Sequence, residues 1–206
     1  MHFLWFPDKK AMKKIFSLLL IFTAGTFASL HAALVYKAGY VLLTTGDSVK
    51  GDIRVNTTKE LTMFQKVAVK IGDATKTYKP EQVKEYSYET TKFVARKVDG
   101  EMQFLKVISS GRINLYELQF EVQRGNDLVV DSDYYIEKND GSNAEPQKVK
   151  ANKFKKTVAE MMSDNTELVS RVQGDDKKYE IDDMAKVVEE YNTWYDKQNG
   201  TLQGSR

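Results

Sequence analysis

Residues 102–122, MQFLKVISSGRINLYELQFEV, decide how this chain folds. Two strand-like runs are joined there by Ser109-Ser110-Gly111. In the first run Phe104, Lys106 and Ile108 share one face and Leu105 and Val107 the other. It is apolar on nearly both sides, the pattern of a strand covered above and below rather than half in water. Phe93 to Val98 forms another β-rich run upstream, and Asp99-Gly100 between the two predicts a type I′ hairpin turn, which needs positive φ at both central residues. Downstream, Ile113, Leu115 and Leu118 alternate with Asn114 and Glu117, while Tyr116 and Phe120 add aromatic bulk. Gly111 is expected to let the chain reverse or bulge, having no Cβ to clash. Three consecutive strands over residues 93–122 follow from this.

Working outward, the chain before this stretch reads as more of the same sheet. Tyr40 to Leu43 and Val49 to Val55 flank the hairpin loop Thr44-Thr45-Gly46-Asp47-Ser48. Met63 to Ile71 is expected to be a strand with Val67, Val69 and Ile71 on one face, turned back by Gly72-Asp73 into Lys76 to Tyr78. Pro80 suits the first position of a short helical turn reaching Lys84, before Tyr86 and Tyr88 resume an extended run. After the central hairpins, Leu128 to Val130 and Tyr134 to Ile136 make a last strand region, closed by a loop over residues 139–143.

The apolar period then changes from two to about 3.6. Asn152 is expected to cap a helix carrying Phe154, Val158, Met161 and Met162. Asp164 or Thr166 is expected to cap a short one with Leu168, Val169 and Val172, ended by Gly174. Asp182 is expected to cap the longest, whose Met184, Val187, Val188, Tyr191, Trp194 and Tyr195 form one stripe. The fold class is therefore α+β: an antiparallel β-rich N-terminal portion, sheet or open barrel, followed by a C-terminal helical subdomain of about three helices. The expected boundaries are 1–32 for a leader, 33–147 for the β-rich domain, 148–198 for the helical subdomain and 199–206 for a tail.

The leader has the form of a secretory signal: Lys13-Lys14, then Ile15 to Phe22, then small residues. Met12 serves as well as Met1 for an initiator, and cleavage is expected after Ala28 or Ala32. The apolar run is too short to span a bilayer comfortably, so no integral span is expected once the leader is cleaved. Removing Lys9, Lys10, Lys13, Lys14 and Asp8 from the 31 basic and 29 acidic residues leaves 27 against 28, a net charge of −1. No global field then draws the remaining chain to nucleic acid. The basic run Lys148 to Lys156 reads as a solvated approach to a helix.

Both histidines, His2 and His31, lie in this leader, and the chain has no cysteine. Cleavage after Ala32 removes both histidines, and cleavage after Ala28 would keep His31 only on a loose end that cannot hold a catalytic geometry. The processed protein is therefore expected to lack Ser-His-Asp or Cys-His catalysis and His/Cys ligation of zinc, copper or haem, and no cofactor is expected. Gly46-Asp47-Ser48-Val49 looks like the nucleophile block of GDSL-type serine hydrolases, but the C-terminal histidine base such enzymes need is missing, so a hairpin turn is the reading. Asp131-Ser132-Asp133 and the 139–143 loop with Glu145 offer oxygen ligands without the spacing of a calcium loop. A pair of carboxylates acting on a glycan remains open on composition alone. Tyr86, Tyr88, Tyr134, Tyr135, Trp194 and Tyr195 are the candidate ligand-binding residues, able to stack sugars or peptide if they gather on one surface.

Several blocks together resemble a family. Gly39-Tyr40-Val41 leading to Gly46-Asp47-Ser48-Val49-Lys50-Gly51 resembles the opening of many small exported proteins of Bacteroidetes-type Gram-negative bacteria. Tyr78-Lys79-Pro80-Glu81-Gln82-Val83 is similar to their next block. Phe104 to Ile108, Gly111 to Tyr116 and a final helix ending in Tyr191-Asn192 also resemble theirs. The similarity covers most of the chain beyond the leader. That family has no established activity, so the resemblance implies location and architecture without catalytic residues. The expectation is an exported envelope protein, periplasmic, outer-membrane-associated or extracellular, that acts by binding or assembly with an envelope protein or a glycan. Two other classes stay open: a hydrolase using carboxylates alone, and a small-ligand carrier with a cavity in the sheet.

Overall fold

Ten strands pair antiparallel into one open sheet in the order β10-β9-β8-β7-β6-β5-β1-β2-β3-β4, and helices follow it in the chain. The structure is a computed structural model that describes residues 35–56, 60–142, 144–174 and 179–203; the expected leader lies outside them. The strands are β1 (Val35–Leu43), β2 (Ser48–Val55), β3 (Val67–Ile71), β4 (Ala74–Tyr78), β5 (Val83–Tyr88), β6 (Thr91–Val98), β7 (Glu101–Ser109), β8 (Ile113–Arg124), β9 (Asp127–Lys138) and β10 (Gln147–Val149). The helices are α1 (Thr62–Gln65), α2 (Phe154–Met161), α3 (Thr166–Gln173) and α4 (Met184–Gln203). The protein is thus α+β with a β-rich N-terminal part, and among the described residues no helix is long and apolar enough to cross a membrane.

The hairpin chemistry follows the sequence closely. Asp99 (φ 52°) and Gly100 (φ 88°) are both left-handed, as a type I′ turn between β6 and β7 requires. Pro80 opens a 3₁₀ turn over Pro80–Gln82, where its missing N–H would have had no partner. Elsewhere tertiary packing overrides local pattern. Met63 and Phe64, expected in a strand, form the helical turn α1 instead. The Tyr86 hydroxyl donates to the Met63 carbonyl at 2.5 Å and Phe64 meets Phe93 edge-on at 5.3 Å, contacts that fix the turn over the sheet. An apolar run this short does not distinguish a turn of helix from a strand. The two runs within 128–136 are one twelve-residue strand, β9, and the short β10 pairs with it where the sequence predicts the approach to a helix to begin.

The caps also move. Asn165 caps α3, its Oδ1 accepting from the Leu168 N–H at 3.0 Å, because Asp164 is engaged elsewhere: both its oxygens accept from the Tyr191 hydroxyl, at 2.8 and 2.9 Å. Asn152 lies inside a 3₁₀ turn, Ala151–Lys153, ahead of α2. A second 3₁₀ turn, Ile181–Asp183, precedes α4, and Glu180 and Asp183 there form the reciprocal capping box in place of Asp182. α4 runs to Gln203, past the expected end at 198.

Register places two cores side by side on one face of the sheet. Val41, Ile53, Tyr86, Phe93 and Phe104 join Met63 and Phe64 of α1 in the first. Ile113 and Leu115 of β8 and Ile136 of β9 meet the helices in the second, through Phe154, Val158, Leu168, Val172, Val187 and Tyr191. The opposite face carries a smaller cluster: Val94, Val98, Leu105, Tyr116 and Tyr135. Long polar side chains cover it, with the Arg96 guanidinium 5.8 Å over the Tyr116 ring. Phe104 and Leu105 are both fully buried, so β7 is covered on both faces as its sequence predicts.

Candidate functional site

The seam between the two cores is where the sheet comes apart. β7 and β8 pair only between Lys106–Ser109 and Leu115–Glu117, with an irregularity at Ile108. A bulge there bends β7 and increases the local twist. Beyond Glu117, β8 continues to Arg124 with β9 as its strand partner and, among the described residues, none on the β7 side. β10 covers β9 only at Tyr134–Ile136. Residues 118–133 therefore leave the sheet as a two-stranded ribbon.

Its tip fixes which backbone groups face the gap. Gly125 (φ 64°) and Asn126 form a two-residue turn, so Arg124 and Asp127 are a hydrogen-bonded pair. Bonded and non-bonded pairs alternate along antiparallel strands. Phe120 and Val122 therefore bond to β9, while Gln119, Glu121 and Gln123 turn their N–H and C=O groups toward the gap. The same parity shows at the other end of β8, where the Ile113 N–H and C=O point off that edge and bind the Asn192 side chain at 2.9 and 2.8 Å.

The gap is a cleft of about 780 Å³. Glu60, Leu61 and Phe64 at α1 line one side with Gln103 of β7; Leu118, Phe120 and Glu121 line the other. At its closed end Lys106 Nζ sits 3.1 Å from Glu60 and 3.8 Å from Glu117. Burial pulls the Lys106 amine down, but the hydrogen bond to Glu60 and the two carboxylate charges outweigh it and hold it above the ordinary lysine value. Burial, then the Glu60 charge, raises the nearby Tyr88 phenol. The ribbon carries two exposed apolar side chains, Leu128 at 71% and Val130 at 59%. Glu121 is exposed and forms no ion pair among the described residues.

The six aromatic candidates do not gather on one surface. Tyr86 and Tyr88 are buried in the first core, Tyr86 stacked on Phe93 at 4.7 Å. Tyr134 packs against the helical core, whereas Tyr135 lies on the opposite face and donates to Asp99 at 3.0 Å. Trp194 and Tyr195 are half-buried on α4, with the Arg112 guanidinium 5.2 Å over the Tyr195 ring. The oxygen-rich loops form internal contacts: Asp131 pairs with Arg124 at 2.7 Å, Asp133 pairs with Lys148, and Asp140 accepts from the Ser142 N–H at 3.0 Å. Sequence reading passed over Glu60, Gln103 and Glu121. The alternation of Gln119, Glu121 and Gln123 with Leu118, Phe120 and Val122 was the available signal, and nothing local in it says which edge is left open.

No protein-family model matches this chain, and no curated protein or solved structure matches it at a significant level.

Proposed function

We propose that this protein is exported to the cell envelope and acts there by binding or assembly, with no catalysis of its own. The observation that carries this reading is the split in the sheet. An unpaired strand edge and exposed apolar side chains invite association, and proteins that do not use such an edge blunt it or cover it. Here β8 leaves β7 beyond Glu117 with an open edge, and its partner β9 carries the exposed Leu128 and Val130. The secretory form of residues 1–32 and the resemblance to small exported Bacteroidetes-type proteins support the location.

The alternatives draw less support. A carboxylate-only hydrolase needs two free carboxyl groups facing each other across a sugar-sized gap. Of the two carboxylates lining the cleft, Glu60 and Glu121, the first is paired with the Lys106 ammonium, which it shares with Glu117, and so is not free. A carrier needs a cavity within the sheet. The aromatic cluster of Phe64, Tyr86, Phe93 and Phe104 fills the face where such a cavity would lie.

The test replaces the ribbon beyond the Leu118–Asp133 pair by a tight turn and compares this variant with the natural protein in capture from native envelope, alongside terminal sequencing of the native protein. The expected result is saturable retention of an envelope component by the natural protein only, and a mature terminus just after Ala28 or Ala32. Equal retention by both proteins, or a cytoplasmic species beginning at Met1 or Met12, would count against the reading.

A further inference from the structure

We propose that the split accepts an extended polypeptide strand that adds to the free edge of β8, and that this strand alternates apolar with basic side chains. This rests on the binding reading above and names the chemistry of the partner.

The edge is built for addition. Gln119, Glu121 and Gln123 present three N–H and three C=O groups to the gap, spaced as a neighbouring strand would meet them. Among the described residues the outer edge of β9 over 127–133 is also unpaired, but Asp127, Asp131 and Asp133 charge it. The terminal strands are short or carry lysine. β10 is three residues long, and β4 is a five-residue strand carrying Lys76. The open run of β8 has no proline, no lysine and no bulge.

Side-chain parity then specifies the occupant. A strand laid along β8 would place alternate side chains beside Leu118, Phe120 and Val122, which are half-buried and apolar. Those between would lie beside Gln119, Glu121 and Gln123, with Glu60 across the cleft. Glu121 has no cation of its own among the described residues, and Glu60 shares Lys106 with Glu117. Lysine or arginine at these intervening positions completes the charge balance, whereas acidic residues would meet like charge.

A second copy of this chain is the disfavoured occupant. Antiparallel pairing of the 118–124 edge with itself sets the two Glu121 side chains opposite or diagonal to each other on one face, a repulsive arrangement.

The experiment uses the full-length protein and labelled heptapeptides: one alternating lysine with valine, one alternating glutamate with valine, and one with the lysines and valines in blocks. Fluorescence anisotropy is the readout. The lysine–valine peptide is expected to bind at least about tenfold more tightly than either other peptide. Glu121→Pro removes a gap-facing N–H without touching a bond to β9, so it should abolish binding while leaving the thermal midpoint nearly unchanged. Should that variant unfold, Glu121→Lys decides: its preference should move toward the glutamate–valine peptide. No binding, binding unaffected by both variants, or equal affinity for all three peptides would overturn the proposal. If the ribbon still governs capture from envelope in that event, the binding reading survives and strand addition alone fails. Dimerisation that is lost in Glu121→Pro would identify a second copy as the occupant and overturn the basic-strand partner.

Discussion

Asn192 acts as a strand for Ile113. Its side-chain oxygen accepts the Ile113 N–H at 2.9 Å and its side-chain nitrogen donates to the Ile113 carbonyl at 2.8 Å. One amide near the middle of α4 thereby occupies the edge position that β7 fills two residues further along β8. The contact ties the helical subdomain to the sheet and marks the end of β8 opposite the split.

Asn192→Ala leaves both Ile113 groups buried and unpaired, which should destabilise the protein by about 2–3 kcal/mol. Gly111 is coupled to the same amide, because a Cβ at Gly111 would stand 2.6 Å from the Asn192 side chain. Gly111→Ala should therefore be destabilising alone and close to neutral in the Asn192→Ala background. Urea unfolding of the four proteins of this cycle measures the coupling, and additive effects would show that the two residues do not interact.

Gly111 also shows where sequence reading stops. The chain reverses there between β7 and β8 as its sequence context suggested, but the φ of Gly111 is not left-handed; what glycine supplies is the missing Cβ, which makes room for α4. Local rules read the Asp99-Gly100 turn, the Pro80 turn and the stripe of α4, since each depends on residues a few places apart. They misread Met63 and Phe64, whose turn is set by Tyr86 and Phe93, and they chose Asp164 or Thr166 over Asn165 because Tyr191, which claims Asp164, is 27 residues away. The candidate site was not legible for the same reason. An alternating run announces a strand, while its free edge depends on where β7 stops pairing with it.

Removing α4 should destabilise the β portion. Met184, Val187, Val188 and Tyr191 are all at most 1% exposed, packed with Ile113, Leu115 and Ile136. Tyr191 alone takes about 150–250 Å² out of water, and the stripe together contributes several kcal/mol, a large part of a typical domain's stability. Thermal unfolding of the 33–174 fragment beside the 33–206 protein is expected to show a lower or lost transition. An unchanged midpoint would mean that α4 stabilises nothing beyond itself.

Two non-glycine residues with left-handed φ should respond oppositely to glycine. Among the described residues, the Glu89 (φ 48°) side chain makes an exposed pair with Lys37 at 2.7 Å and no other ion pair. Relief of strain, about 0.5–1 kcal/mol, offsets loss of a surface pair, so Glu89→Gly should be neutral to slightly stabilising. Asp99 (φ 52°) also accepts from Tyr135. Losing a hydrogen bond to a charged group costs about 1.5–3 kcal/mol, so Asp99→Gly should be destabilising by about 1 kcal/mol. Denaturation midpoints of the two variants should move in different directions or, at the least, separate clearly.

Alkaline pH should unfold the protein through its phenols. Tyr40, Tyr116, Tyr135 and Tyr191 each donate to a carboxylate, of Glu85, Glu137, Asp99 and Asp164 respectively. The hydrogen bond to Glu85, with burial behind it, pushes Tyr40 up to about 12; burial first, then the carboxylate, raises the other three further. A raised folded value favours the protonated phenol. Its contribution is whole below the unfolded tyrosine value of about 10 and is lost as pH climbs toward the folded value. Ultraviolet titration should show part of the tyrosine absorbance change delayed above pH 10 and appearing together with unfolding. A single smooth titration at the ordinary tyrosine value would contradict these contacts.

The most direct measurement of binding through the split is amide hydrogen exchange, residue by residue along β8, with and without the lysine–valine heptapeptide. In the free protein Phe120 and Val122, bonded to β9, should exchange slowly, while Gln119, Glu121 and Gln123 exchange at nearly the rate of open chain. Adding the peptide should slow those three and leave Phe120 and Val122 little changed. Uniform protection along 118–124 in the free protein, or no change at Gln119, Glu121 and Gln123 on adding peptide, would contradict strand addition at the open edge of β8.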